Sequence, residues 1–149
     1  MRDTMDILQM AVFGALSGNL SYNNANVPVY DEKKEVGQND NLYVLLSTQQ
    51  ENDNPQTSDA FITDSSIDIE IMHKTGFEVS KKVLNNISNQ ILEILIPTPS
   101  TNGMAVQNLF QIQNVRRTAS ITRNLSISET QSVLQKIITI SAQIVEQNP

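Results

Sequence analysis

The chain has no cysteine, no tryptophan and only one histidine, His73, among its 149 residues. Without cysteine it has no disulfide framework, no thiolate metal site and no cysteine nucleophile. A single histidine also excludes a multi-histidine metal site. Carboxylates remain available, so a metal site with oxygen ligands or acid/base catalysis is less expected but is not excluded.

Glycine is scarce as well, and Gly37, Gly76 and Gly103 stand alone, so they assemble no phosphate-binding loop. The acidic stretch 31–40 lacks the alternating oxygen ligands, the turn glycine and the closing glutamate of a calcium loop. His73 with Asp64 or Glu70 would make an acid/base pair, but no Ser-His-Asp set surrounds it. We therefore expect an ordinary polar strand end there, no cofactor and no metal.

Long apolar runs are also missing. The first six residues contain two aspartates, and the apolar run 7–16 is interrupted by Gln9 and Gly14. A signal peptide begins with basic residues, and a membrane span needs about 20 apolar residues. The sequence thus predicts no targeting or membrane segment and a protein kept in the cytoplasm.

Uncharged polar residues are abundant instead: 16 Asn, 13 Gln and 14 Ser. Surfaces rich in amides suit protein contacts, in which each buried amide finds a partner. The net charge of −6 argues against general nucleic-acid binding, which requires clustered cations.

Charge is unevenly divided along the chain: residues 1–74 carry −8 and residues 75–149 carry +2. Unlike charges on the two halves favour head-to-tail packing of copies, although chance distribution on solvated surfaces explains the split equally well. The basic candidates for a subunit contact are Arg116, Arg117 and Arg123, which would otherwise meet a phosphate backbone or water. The acidic candidates in the other half are Asp31, Glu32, Glu35, Glu51 and Asp53.

Hydrophobic periodicity predicts a first helix over 7–16, with Asp3 as its cap and Gly18 as its stop. Strands follow over 27–30, where Pro28 indicates an edge or a strand start, and over 42–48. Residues 49–59 contain no large apolar side chain, and we expect a polar loop there.

The second half predicts a strand over 67–72 and a helix over 79–95. Thr75 and Glu78 have the spacing of a capping box for that helix. A long strand is expected from Val106 to Arg116 or beyond, and another over 133–145; the alternative for 129–137 is a start as a helical turn. The expected fold is a single α+β domain over 1–149: two layers, with an antiparallel or mixed sheet of about four to five strands packed by two helices.

The order of these elements resembles the tail terminator and tail-completion proteins of bacteriophages. The similarity lies in the first helix, the Val27-Pro28-Val29-Tyr30-Asp31 box and the Leu42-Tyr43-Val44-Leu45-Leu46 strand. It continues through the acidic-isoleucine strand 67–71, the helix 79–95 and the terminal strand to Val145. Asn41 stands where those proteins usually have proline.

This resemblance implies a virion structural protein without enzymatic activity, located in the tail or neck. Such proteins form homo-oligomeric rings, commonly of six copies, which cap the tail tube and join it to the neck connector, with DNA passing through. The alternatives are a neck or adaptor ring protein of a short-tailed phage, a small non-viral adaptor that binds one protein, and a small enzyme using carboxylates.

Overall fold

The computed structural model describes residues 4–31, 41–54, 61–75, 81–99, 101–104, 109–126 and 132–146. Its elements in chain order are α1 (Met5–Leu16), β1 (Ser21–Tyr22), β2 (Ala25–Asn26), β3 (Val29–Tyr30), β4 (Leu42–Asn54), β5 (Phe61–Thr75), α2 (Lys82–Leu95), β6 (Phe110–Ser126) and β7 (Ser132–Glu146).

The main sheet has five strands in the order β3-β4-β5-β7-β6. Only β3 runs parallel to its neighbour; the other three pairings are antiparallel. Tyr30 of β3 packs edge-on against Tyr43 of β4, with ring centroids 6.2 Å apart. Two helices and a mixed sheet confirm the α+β class, and Pro28 does precede a short edge strand.

One face of the sheet is apolar and lies under the helices. Ile67, Ile69 and Ile71 alternate along β5, and each is at most 1% exposed. Their pairing partners on β7 share that face, and the ammonium of Lys136, the partner of Ile71, donates to the Asn85 side chain on α2. Each fully buried aliphatic side chain of this kind contributes about 1.5–3 kcal/mol, so the β5–β7 pair is the centre of the core.

The helices end where their sequences indicate. Gly18 has φ +78° just after α1, a left-handed conformation that suits glycine at this position. The buried stripe of α2 runs from Val83 to Leu95 and faces the sheet. Within the described residues, no helix has the length and apolar character that a membrane span requires.

Two predicted boundaries are wrong. Thr75 is the last residue of β5, and α2 begins at Lys82 without a side-chain cap; Glu78, like Asp3, lies outside the described residues. Residues 49–54 are not a loop but continue β4, paired with 62–67 of β5. Backbone pairing sustains this stretch, because a strand at the side of a sheet needs no continuous apolar face.

The last two strands pass Arg116 and cover 133–145, as the periodicity predicts. β6 continues to Ser126, ten residues beyond Arg116, and β7 is extended from Ser132, which excludes a helical turn over 132–137. Predicted strand residues 106–108 lie outside the described part of the chain.

Two glycines give a matched test of packing. A Cβ at Gly103 would overlap the backbone oxygen of Ile94, whereas a Cβ at Gly14 on α1 would meet nothing within 4 Å. We expect Gly103→Ala to lower the free energy of unfolding by about 1–3 kcal/mol. Gly14→Ala should raise it by about 0.5–1 kcal/mol, because alanine favours the helix. Urea unfolding of both variants checks this, and equal effects would contradict the packing described.

Candidate subunit interface

The sheet has two open sides. On one side, β6 pairs with β7 alone, and residues 116–121 and 123–125 are exposed. On the other side, β3 pairs only with Val44 and Leu45 of β4. We call residues 116–125 the β6 edge and residues 49–54, which lie beyond β3, the β4 edge.

Two of the predicted cations lie together on the β6 edge. Arg116 pairs with Ser141 of β7, and Arg117 pairs with Ile140. Arg123 pairs with Gln135, six residues further along the strand, or about 20 Å at the usual rise per residue. All three side chains are exposed, but the structure does not place Arg123 with the other two.

The described acidic candidates lie on the opposite side of the sheet. Glu51 and Asp53 belong to the β4 edge, where Asp53 is exposed and Glu51 accepts a hydrogen bond of 3.0 Å from the Thr4 hydroxyl. Asp31 directly follows β3 on the same side. Glu32 and Glu35 lie outside the described residues.

The opposite charges lie at neighbouring levels along the strands, because Arg116 and Arg117 are level with Gln50 and Gln49 of β4. Gln49 pairs with Ile67, Ile67 with Ile140, and Ile140 with Arg117. Glu51 is two residues from Gln49, so it shares a sheet face with Gln49 and Arg117. Sequence separation gave no indication of this alignment, which depends on the register of four strands.

Both edge strands are irregular near this level. The pairing register shifts between Leu46 and Gln49 on β4, and between Gln113 and Arg116 on β6. Asn114 within the second irregularity has φ 54°, and its side-chain amide donates to the Gln143 oxygen at 2.6 Å. Such bulges bend and twist a strand locally, so they shape both edges where the charges lie.

A polar cleft of about 560 Å³ lies on the surface of the sheet and extends from the β4 side to the β6 side. Most of its side chains belong to the face opposite the helices and come from all four long strands. They include Gln50, Asn52, Asp64, Ser66, Asn114, Arg116, Ser141 and Gln143. Within the described residues, no group of three or more His, Asp or Glu is arranged to hold a metal ion.

The carboxylates of β5 have partners within the sheet. The Gln143 amide donates to Asp64 at 3.2 Å, the Thr139 hydroxyl to Asp68 at 2.7 Å, and the Gln135 amide to Glu70 at 2.5 Å. His73 forms no acid/base pair with Asp64 or Glu70, because alternation along β5 places those two acids on the face opposite His73.

Two side chains on the helix-covered face have lowered pKa values. Burial lowers the pKa of His73, whose Nδ1 is buried and has no hydrogen-bond partner in the described part of the chain. Burial first, and the positive charge of Arg117 second, lower the pKa of Lys136. The charge of Arg117 therefore acts on Lys136, a side chain of the helix-covered face.

Neither models of known protein families nor curated protein sequences give a match to this chain. The interpretation of the two edges therefore depends on the geometry of the chain itself.

The single histidine allows a clean test of this burial. We expect an NMR titration to give His73 a pKa below its ordinary value of about 6.5, because burial disfavours the charged ring. The unfolded chain then binds the proton more tightly, so the free energy of unfolding falls as the pH drops below about 6.5. His73→Gln should reduce that slope, and a pKa at or above 6.5 would contradict the described environment.

Proposed function

We propose that this chain is a structural subunit of a bacteriophage virion: a tail terminator or tail-completion protein. Six copies form a closed ring at the head-proximal end of the tail. The ring contacts the tail tube on one side and the neck connector on the other, and DNA passes through it without sequence-specific contacts. The role is one of assembly and not of catalysis.

The observation that carries this proposal is the placement of opposite charges on opposite edges of one sheet. Arg116 and Arg117 lie on the β6 edge, and Glu51 and Asp53 on the β4 edge. A surface that binds a different surface on the next copy is heterologous, and such contacts close into rings when the rotation between copies permits. Electrostatic complementarity also fixes which edges meet.

The order of elements adds support from the resemblance. Residues Val29 and Tyr30 of the Val27–Asp31 box form β3 beside the 42–46 segment of β4, as two successive strands after a first helix. The acidic-isoleucine strand, the second helix and the terminal strand follow in the same order as in tail terminator proteins. A neck ring protein of a short-tailed phage would use the same kind of contact.

Electron microscopy of intact particles tests the proposal directly. Particles purified from a host that produces this chain should contain it, as detected by mass spectrometry, and it should form a ring between head and tail. Its absence from particles, or its presence as isolated copies, would reject the proposal. A monomer found only outside particles would favour an adaptor.

Charge reversal at the β6 edge should block assembly without unfolding the subunit. We expect Arg116→Glu with Arg117→Glu to weaken association at least tenfold, equivalent to about 1.4 kcal/mol, because both changes bring negative charge close to Glu51 and Asp53 of the next copy, Arg117 on their face of the sheet and Arg116 on the other. Sedimentation of the pure protein and particle yield measure this effect, and circular dichroism checks the fold. Added salt should also weaken the wild-type contact.

The matched control is Lys81→Glu with Lys82→Glu at the start of α2, which makes the same change in net charge at exposed positions outside both edges. Glu51→Lys with Asp53→Lys should restore association to the reversed β6 edge. Normal assembly of the Arg116/Arg117 variant, or an equal loss in the control, would show that the cluster is only solvated.

A further inference from the structure

Strand direction determines how the two edges can meet. The pairs β4–β5, β5–β7 and β7–β6 are all antiparallel, so β4 and β6 run in opposite directions. Copies related by rotation about an axis along the strands keep these directions. When the β6 edge of one copy meets the β4 edge of the next, the two strands are therefore antiparallel.

Both edges have the length and exposure that strand addition requires. The β4 edge has six residues, and no strand of the described chain lies on its outer side. Its burial alternates between half-buried and exposed positions over 49–52, as expected for a strand at the side of a sheet. The β6 edge is exposed at nearly every position, including Ile121, which is 54% exposed.

Symmetric edge pairing is disfavoured by charge. Joining two β6 edges about an axis at Arg116 and Arg117 would place these residues of one copy near the same residues of the other. Joining two β4 edges would place Glu51 and Asp53 near their own equivalents. Like charges opposite one another across a strand pair are destabilising, so the charges select the unlike pairing.

We propose that the β6 edge of one copy adds to the β4 edge of the next as an antiparallel strand, so that the sheets of successive copies become continuous. The partner is a second copy of this chain. The inference rests on the proposed ring and specifies its interface: backbone hydrogen bonds provide the contact, and the side chains set its register.

Without an axial shift between copies, the register follows from the sheet itself. Asn52 pairs with Asp64, Asp64 with Gln143, and Gln143 with Gln113, so Asn52 and Gln113 lie at one level on opposite edges. Arg117 is level with Gln49, so Arg117 of one copy lies diagonally across from Glu51 of the next on the same face. Diagonal neighbours of this kind are within reach of long side chains.

Disulfide trapping tests the pairing without background, because the chain has no cysteine. Asn52→Cys is combined in turn with Gln113→Cys, Gln111→Cys or Ala119→Cys, which lie on one face at levels zero, two and four residues from that of Asn52. Within one copy, residues 52 and 113 are three strands apart, about 14 Å, beyond the reach of a disulfide. Every bridge must therefore join two copies.

We expect one pair to give a ladder of covalent oligomers after mild oxidation, more than tenfold above the control pair Asn52→Cys with Asn89→Cys on α2. Efficient dimers from Asn52→Cys alone, or no bridge for any pair, would overturn the edge pairing. Microscopy of the same samples separates the two proposals. Closed rings without bridges reject only the edge pairing, whereas bridged open filaments keep the pairing and reject the ring.

Discussion

The burial of one face of the β5–β7 pair beneath α1 and α2 is the constraint on which the rest of the molecule depends. Isoleucines of both strands occupy that face and are almost wholly removed from water. Because side chains alternate, the residues between them must point away from the helices. Asp64, Asp68 and Glu70 therefore stand on the opposite face, where amides and a hydroxyl of β7 bind them.

The same constraint leaves the sides of the sheet without cover. The helices contact β3, β4, β5 and β7, while most of β6 extends beyond them and remains exposed. The outer edge of a sheet presents unpaired backbone N–H and C=O groups to which another chain can bind. Proteins usually protect such an edge with a short strand, a local twist or charged side chains. Here β4 and β6 both have register irregularities, and near them each carries charge of one sign. These features restrict which chain can pair with which side.

Hydrophobic periodicity predicts those helices and strands that bury an apolar face of their own. The apolar stripe of α2 and the alternation over 67–71 correspond to observed elements, because each buries its own apolar face. The polar strand 49–54 could not be predicted, since its stability comes from pairing with β5. For the same reason, sequence identified Arg117 and Glu51 as candidates but could not align them. Sequence proximity grouped Arg123 with Arg117, but six residues of extended strand place them about 20 Å apart.

The smallest strand of the sheet limits where a further strand can lie. The backbone of β4 already engages the preceding segment, with the Val44 N–H bound to the Pro28 carbonyl at 2.9 Å, and Tyr30 packs on Tyr43. An incoming chain that slides along β4 is stopped at Leu46, where β3 ends. Strand pairing tolerates slips of two residues when nothing opposes them. The two residues of β3 thus block further movement of an added strand along β4. They define its position along the strand axis, which backbone hydrogen bonds alone would not.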